Sequence, residues 1–411
     1  MAAGVDLDYA LQELKKDLRP VGREEVALEE CRGRVLAEDV VAERSLPPFD
    51  RAAVDGFALR AEDTAAASLE TPVLLRVVEE IGPGGWPARS VGPRECSRVA
   101  TGAPVPRGAT AVVRQEDAVR AGEWIRVVVP CEPGANVDWA GSDVGLGARV
   151  LATGRPLGYR EIALLAALGR RTVRVYREPV VAILCTGGEL VAAGEALPPG
   201  KVYEANGPAL AAAVGEAQGR PLMLGRVDDT VEAIAGAMAR GATVADLVLT
   251  TGGVSVGEHD LVRAAYRLLG AREIFWRLNM RPGMPTAAAR LDGKLLLGLS
   301  GNPAAALVAF EVLVRPLIHA LGGRPDGERP RVRAVLEEEL SKRARQRRFV
   351  RARVRWEGTW LVRPLGPDNP GFLSSLVRAN ALIDLPPGAG PLARGAEVEV
   401  LLLSGAEERI R

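Results

Sequence analysis

The chain has 411 residues, too many for one ordinary hydrophobic core, so we expect roughly two to four domains. With 47% hydrophobic and 26% charged residues, its composition is that of a folded, soluble protein. The 53 lysines and arginines nearly balance the 52 aspartates and glutamates, which argues against a nucleic-acid or acidic-membrane partner.

The chain shows no membrane or export signal. Its N-terminal stretch, MAAGVDLDYALQELKKDL, lacks the apolar core of a signal peptide and carries acids early. No run reaches the ~18 to 20 uncharged apolar residues of a membrane span, and the nearest, LLLGLSGNPAAALVAF, is interrupted by Gly-Asn-Pro. We therefore expect a soluble, cytoplasmic protein.

Cysteine and histidine usage argues against a zinc site. The four cysteines form no C-x-x-C pair and there are only two histidines: Cys31, Cys96, Cys131, Cys185, His259 and His319. We interpret the cysteines as reduced, mostly structural thiols. Any metal must then be held by carboxylates and phosphate, which favours Mg²⁺ chemistry.

Changes in sequence pattern divide the chain into four predicted units. Helical spacing in DYALQELKKDL and ALEECRGRVLAEDVVAE predicts N-terminal helices, and RPLGYREIALLAALG predicts one closed by Gly169. Short alternating segments separated by Gly and Pro predict two β-rich units. The units are an N-terminal helical domain (1–45 with 144–176), a β-rich insert (46–143), an α/β domain (177–326) and a C-terminal β-domain (327–411).

Near-continuous apolar strands alternate with helices in the α/β unit, which indicates a parallel sheet covered on both faces. Asn206 is the predicted N-cap of one helix, and Asp229 or Thr230 that of the next. Ligands in such sheets bind beyond the carboxyl ends of the strands. Four loops are predicted there: CTGGEL, VDDT, TTGGVSVGEHD and LSGNP.

The loop TTGGVSVGEHD has the features of a phosphate site. Gly252 and Gly253 permit positive φ and leave backbone N–H groups unshielded. Ser255 adds a hydroxyl, and a helix from about Glu258 presents its positive end. A plain strand-to-helix turn is the alternative.

The loop LSGNP repeats this logic on a second strand. Gly301 allows close approach, Asn302 can cap or donate, and Pro303 suits a first helical turn. An ordinary helix start has the same pattern.

Carboxylates flank these loops. CTGGEL places Glu189 at one strand end, and VDDT places Asp228 and Asp229 at another. Because carboxylates repel phosphates, a cation between them is the natural resolution, and we predict Mg²⁺.

The β-rich insert carries further polar positions. Asp50 and Asp55 lie in LPPFDRAAVDGFALR, Thr101 and Gly102 precede two prolines that stiffen their loop, and Asp143 lies in NVDWAGSDVGLG. A simple turn explains each of them equally well.

The run SKRARQRRFVRARVR is the most basic stretch. Its latter part alternates, so we interpret its arginines as one solvated strand face that contributes at most a local anion site, and we expect no nucleic-acid partner.

Together these motifs resemble the molybdopterin molybdenumtransferase family of molybdenum cofactor biosynthesis, which includes the homologous half of gephyrin. The likeness runs nearly end to end through LPPFDRAAVDGFALR, RVATGAPVPRGATAVVRQED, GANVDWAGSDVGLG, TGGEL, VYEANGPAL, GRVDDT, TGGVSVGEHD, NMRPGMP, GLSGNPAAALVAF and LSSLVRANALIDLP. It implies a multidomain α/β homodimer. Each chain would have a three-layer α/β/α molybdopterin-binding domain with a mostly parallel sheet, a β-rich insert domain, an N-terminal helical domain and a small C-terminal β-barrel.

The resemblance also implies a reaction and a site. Adenylylated molybdopterin and molybdate are consumed, molybdenum is inserted at the dithiolene, and AMP is released with Mg²⁺ assisting. The molybdopterin adenylyltransferase and acceptor molybdoenzymes are the implied further partners. The implied catalytic residues are Asp55, Thr101, Asp143, Glu189 and Asp228; the implied metal ligands are Glu189, Asp228 and Asp260; the implied cofactor-binding residues are Gly252, Gly253, Ser255, Gly257, Asp260, Arg281, Pro282, Gly301, Asn302 and Pro303.

Several site loops depart from the family pattern. Arg51 stands where the family has Asn, Gly188 replaces an Asp, Met284 replaces a Lys, Ser142 replaces a Glu, and Ala305 replaces a Ser. The changes at 188 and 284 remove two opposite charges, so the site can be retuned without being inactive. Three alternatives remain: a molybdopterin carrier without turnover, a tungsten-specific insertase, and a scaffold such as gephyrin.

Overall fold

A computed structural model describes residues 4–254, 260–324, 327–366 and 372–403 of the chain. The strands of the first part are β1 (Arg23–Ala27), β2 (Val40–Val41), β3 (Arg51–Ala52), β4 (Gly56–Leu59), β5 (Val73–Ile81), β6 (Glu95–Val99), β7 (Ala111–Arg114), β8 (Ala118–Ala121), β9 (Trp124–Val127), β10 (Val137–Asp138), β11 (Arg149–Leu151) and β12 (Thr172–Tyr176). The helices there are α1 (Leu7–Lys15) and α2 (Tyr159–Ala167), with 3-10 turns at Leu28–Glu30, Ala61–Thr64 and Gln115–Asp117.

The strands of the second part are β13 (Val180–Thr186), β14 (Leu190–Val191), β15 (Val202–Tyr203), β16 (Arg220–Val227), β17 (Leu247–Thr251), β18 (Arg272–Phe275), β19 (Met280–Arg281), β20 (Ala287–Leu291), β21 (Lys294–Leu299), β22 (Arg331–Leu336), β23 (Arg347–Trp356), β24 (Trp360–Pro364), β25 (Ala381–Leu385) and β26 (Glu397–Leu402). The helices are α3 (Asn206–Glu216), α4 (Val231–Val244), α5 (Leu261–Leu268), α6 (Pro303–Ala309), α7 (Arg315–Leu321) and α8 (Leu373–Arg378), and a π-helical turn, Phe310–Val314, joins α6 to α7.

The predicted three-layer α/β/α unit is confirmed. Its sheet has the order β16-β13-β17-β21-β20-β18, in which the first four strands are parallel and β20 runs antiparallel to both of its neighbours, β21 and β18. Every residue of β13 and β17 is buried, as expected for strands covered on both faces. Val181 and Ile183 pack towards α3, α6 and α7, whereas Ala182 and Leu184 pack towards α4.

The two β-rich predictions are also confirmed. The insert is one mixed sheet of order β7-β4-β6-β5-β9-β8. In the C-terminal part, β23 pairs with both β24 and β25, so that β23, β24, β22, β26 and β25 close into a five-stranded barrel. The closure depends on β25, which is buried along its whole length and which the sequence pattern did not predict as a strand.

One helix prediction was wrong. α1 lies where it was expected, with Asp6 as its N-cap, but ALEECRGRVLAEDVVAE forms only a 3-10 turn and β2. Gly33 adopts a left-handed φ of 80° there, and its N–H donates to the Leu157 carbonyl at 2.7 Å. Local helical spacing was therefore overridden by pairing with segments more than 100 residues away.

The segment from Pro303 to Leu321 is long and apolar enough to cross a membrane, but 83% of its apolar window is buried inside the protein. It packs in the same core as α1 and α3. We therefore interpret it as the central core helix of a soluble fold.

A buried ion cluster connects the barrel to α1. Asp384, whose side chain is only 5% exposed, accepts hydrogen bonds from Arg347 at 2.8 and 2.9 Å and from Arg331 at 2.7 Å. Arg347 also donates to Asp8 of α1 at 2.7 Å. Burial would raise the pKa of Asp384, but the hydrogen bonds from the two arginines outweigh burial and hold the pKa below its ordinary value of 3.8.

We predict that Asp384→Asn lowers the free energy of unfolding of the barrel by about 3 kcal/mol at neutral pH, because it leaves two arginines without their buried anion. Since the folded pKa is lowered, the stabilisation is complete above the ordinary pKa and is lost as pH falls through the lowered one. The difference in the free energy of unfolding between wild type and variant, measured in urea, should therefore shrink below about pH 4. Glu338→Gln, which removes a half-exposed pair with Arg363, is the control and should change stability by less than about 1 kcal/mol; equal losses would contradict this account.

Candidate active site

The loops that follow four neighbouring parallel strands line one cleft of about 670 Å³. The strands are β16, β13, β17 and β21, and they end side by side because they are neighbours in the sheet. The described lining is Thr186, Gly187, Glu189, Leu190, Val202, Tyr203, Glu204, Ala205, Asn206, Asp229, Thr251, Gly252, Gly253, Val254, Leu261, Pro285, Ser300, Gly301, Asn302 and Pro303.

The loop after β17 approaches the end of β13 very closely. Gly252 has a φ of 89°, and a Cβ added to it would lie 2.1 Å from the Thr186 carbonyl oxygen. Its N–H donates to the Leu299 carbonyl at 3.3 Å, so this N–H is not unshielded as we expected. The N–H groups of Gly253 and Gly301 have no acceptor among the described residues and remain for a ligand. Ser255 and Gly257 lie outside the described residues.

Asn206 joins the loops. We expected it to be an N-cap, but it is the first residue of α3, and Ala205 precedes the helix instead. Its Nδ2 donates to Thr251 Oγ1 at 2.6 Å and to the Gly301 carbonyl at 2.9 Å. Thr251 Oγ1 in turn donates to the Ser300 carbonyl at 3.1 Å. One amide thus connects the ends of β17 and β21 to the start of α3.

The acid in the cleft from the VDDT loop is Asp229, not Asp228. Thr230 caps α4, so Asp229 is free of that role, and it accepts from the Thr186 hydroxyl and from the Gly188 N–H, the latter at 2.7 Å. Asp228 is exposed and does not line the cleft. The pattern of two successive acids could not show which one turns inward.

Two glutamates also line the cleft. Glu189, which the sequence places at a strand end, is exposed and lines the cleft. Glu204, which we had not singled out, accepts from the Gly207 N–H at 2.7 Å and lies beside Cys185. Burial, together with the Glu204 carboxylate, raises the pKa of Cys185 to about 12, so the cysteine stays a thiol. All four cysteines are free, as expected.

Asp260 has a structural role at the far end of the same loop. It is the N-cap of α5, which begins at Leu261 and not near Glu258, and its Oδ1 accepts from the Arg263 N–H at 3.0 Å. Its Oδ2 is buried and has no hydrogen-bond partner among the described residues, and burial raises the pKa of this carboxyl. Asp260 does not line the cleft, although Leu261 does.

The described lining of the cleft holds three carboxylates, those of Glu189, Glu204 and Asp229, and no lysine or arginine. No group of three acidic, histidine or cysteine side chains is arranged to hold a metal among the described residues. Oxygen ligands from one or two carboxylates, completed by phosphate and water, are nonetheless what Mg²⁺ prefers. The donor set therefore fits Mg²⁺ brought in with a phosphate, but Glu189, Asp228 and Asp260 do not form one ready-made site.

The predicted insert residues lie elsewhere. Asp55 accepts from the Thr101 N–H at 2.6 Å and from its hydroxyl at 2.8 Å, and these bonds lower the pKa of Asp55. Asp143 is exposed, and its backbone N–H donates to the Leu46 carbonyl. The structure brings Asp55 and Thr101 together, but none of the three residues lines the cleft within one chain.

The NMRPGMP segment contributes only Pro285 to the described lining of the cleft. Arg281 is exposed and Pro282 buried, and neither lines the cleft, whereas Pro285 does. Met284 Sδ accepts from Gln346 Nε2 at 3.5 Å, so this side chain faces the barrel. The residue that replaces the family lysine therefore packs against the neighbouring unit.

We predict that Gly252→Ala lowers the free energy of unfolding by about 1–3 kcal/mol, because a Cβ at a left-handed φ would collide with the Thr186 carbonyl. Gly301→Ala is the matched control: its nearest neighbour would be 3.5 Å away, an ordinary contact, and its φ is not left-handed. Equal stability of the two variants in urea unfolding would contradict the close approach.

Family models match almost the whole chain. They are the MoeA N-terminal region (domain I and II) at residues 5–169, a probable molybdopterin binding domain at 182–320, and the MoeA C-terminal region (domain IV) at 333–403. The central match contains the cleft.

Named relatives cover the same length. The chain is 39% identical to a molybdopterin molybdenumtransferase of Bacillus subtilis, covering 92% of this chain and 89% of the relative, and 36% identical to molybdopterin molybdenumtransferase 2 of Mycobacterium tuberculosis, covering 94% and 96%. A solved molybdopterin biosynthesis MoeA protein of Pyrococcus horikoshii superposes with a TM-score of 0.85 at 34% identity, covering 97% of this chain and 99% of that one. The chain belongs to the molybdopterin molybdenumtransferase (MoeA) family.

Proposed function

We propose that this protein is the transferase that inserts molybdenum from molybdate into adenylylated molybdopterin and releases AMP, a late step of molybdenum cofactor biosynthesis. The observation that carries the proposal is the cleft formed by four strand-end loops, two of which Asn206 connects. Curated relatives named for this activity match the chain over most of their own length.

The substrate's phosphates are placed by the backbone. Gly253, Gly301 and the start of α6 line the cleft, and the two glycine N–H groups, which have no acceptor among the described residues, suit phosphate oxygens. The rigid connection through Asn206 fixes the distance between the two loops, so that a two-phosphate group can be held without reorganisation.

Mg²⁺ is the proposed cofactor, held by Glu189 and Asp229 together with substrate oxygens. When bound it neutralises phosphate charge and assists departure of AMP. The cleft lining offers three carboxylates and no described basic side chain, so an anionic substrate needs a cation there. In this assignment Asp229 replaces the predicted Asp228, and Asp260 acts by holding α5 and the loop in place.

The insert residues are proposed to act on a second copy of the chain. Asp55, Thr101 and Asp143 are exposed and lie away from the cleft of their own chain. A homodimer in which the insert of one chain covers the cleft of the other would supply them to the reaction. The hydrogen bonds from Thr101 keep Asp55 ionised, as required of a carboxylate that receives a proton or a metal. We propose a cytoplasmic location.

The direct test combines purified protein, adenylylated molybdopterin, Mg²⁺ and molybdate, and follows AMP release and reconstitution of a cofactor-free molybdoenzyme. We expect multiple turnovers that depend on molybdate and are lost with EDTA. Tight binding without AMP release, not restored by Gly188→Asp with Met284→Lys, would reject the enzyme and indicate a carrier. Repeating the assay with tungstate determines which oxyanion is preferred.

Asn206→Asp should reduce kcat/KM for AMP release by about tenfold or more, because a carboxylate oxygen would replace the amide donor opposite the Gly301 carbonyl. Thr251→Val removes the hydrogen bonds of Thr251 Oγ1 to Asn206 and Ser300 but leaves the Asn206–Gly301 bond, so its loss of kcat/KM should be smaller. The measurement is steady-state AMP release, with circular dichroism as the check on folding. Full activity of a folded Asn206→Asp variant would show that the connection is not needed.

A further inference from the structure

A narrow crevice lies at the edge of the α/β sheet opposite the cleft. It is bounded by the segment before β13, by the turn after α3 and by the end of α7, and it meets the loop at Gly33. These segments lie at the amino ends of β13 and β16, whereas the cleft lies at the carboxyl ends. Since β13 has seven residues, the crevice and the cleft are about 20 Å apart.

Positive charge dominates the walls of this crevice. Arg34, Arg177 and Arg324 line it, with Glu178 as the one carboxylate among its described walls. Arg34 is paired with Glu24 and lies 3.9 Å from Glu178, and Arg177 is paired with Asp246 at 2.9 Å. Arg324 makes no ion pair with any described residue, so its guanidinium group is the one in the crevice without a described counter-charge.

His319 also faces the crevice with unused hydrogen-bonding capacity. It is 8% exposed, and neither Nδ1 nor Nε2 makes a hydrogen bond of good geometry to any described residue. Burial first, and then the charges of Arg324 and Arg315, outweigh the opposing effect of the nearby Gly327 backbone and lower the pKa of His319 to about 4. At neutral pH the imidazole is therefore uncharged and offers one N–H donor. A buried polar group without a partner is costly, so an unassigned partner is expected.

The space at this point accepts a very small ligand. The cavity volume is about 20 Å³, and one water molecule needs at least about 10–15 Å³ measured in this way. A tetrahedral oxyanion such as phosphate or molybdate is too large. A monatomic anion is only slightly larger than water and can interact with both a guanidinium group and an imidazole N–H.

We propose that this crevice binds a small monovalent anion of chloride size between Arg324 and His319. The anion offsets the uncompensated charge of Arg324 and gives the imidazole N–H an acceptor. The site also lies where the N-terminal unit, through Arg34, meets α7, which carries His319, and Arg324 just beyond it. The binding site is thus structural and separate from the substrate cleft.

Bromide provides a direct probe of this site in the wild-type protein. Crystals of the full chain grown in sodium bromide should show an anomalous difference peak between the Arg324 guanidinium and the His319 ring. In solution, sodium chloride or bromide should raise Tm by about 1–3 °C over sodium gluconate at equal ionic strength, with saturation. Gluconate is the control anion because it is too large for the crevice.

Variants separate this effect from a general salt effect. Arg324→Gln should abolish the difference in Tm between halide and gluconate. Arg89→Gln, at an exposed position of the insert, should retain that difference. The bromide peak requires no variant and decides the matter even if Arg324→Gln folds poorly. A crevice that contains only water, together with equal Tm values in halide and gluconate, would overturn the proposal.

Discussion

The hydrogen bonds of the Asn206 amide are the interaction on which the cleft depends. Parallel strands bring the loops after β17 and β21 to one edge of the sheet, but loops tolerate several conformations. A single NH₂ group that bonds to Thr251 and Gly301 selects one arrangement of both. Because Asn206 begins α3, the helix that covers one face of the sheet also holds the site in register.

Charge explains the rest of the site. An acidic lining that must accept an anionic substrate is unfavourable unless a cation joins them. The carboxylates are therefore held by backbone and hydroxyl donors: Asp229 by Thr186 and Gly188, and Glu204 by Gly207. These bonds orient the acids, and in the proposed reaction a divalent metal ion that arrives with phosphate would complete the site. The absence of the family's acid at position 188 removes one negative charge beside Asp229, where a Cβ would lie 3.8 Å from its Oδ2.

The sequence predicted the α/β sheet, the edge at which ligands bind and the glycine loops, because these depend on apolar periodicity and glycine placement. It did not predict β25, which becomes a strand by pairing with β23 when the barrel closes. It also predicted a helix after Ala27, where pairing with distant segments leaves only a 3-10 turn. Asn206 and Asp229 were recognised as polar residues at helix starts but assigned to capping. Their partners lie about 40 to 100 residues away, so no local pattern could have revealed them.

The central claim is that the strand-end cleft holds the phosphates of adenylylated molybdopterin. A crystal structure of the protein with this substrate and Mg²⁺ tests it most directly. We predict phosphate oxygens within hydrogen-bond distance of the Gly253 and Gly301 N–H groups, with the metal ion between them and Glu189 or Asp229. Substrate bound on the barrel or on the insert, with the cleft filled only by water, would contradict the account.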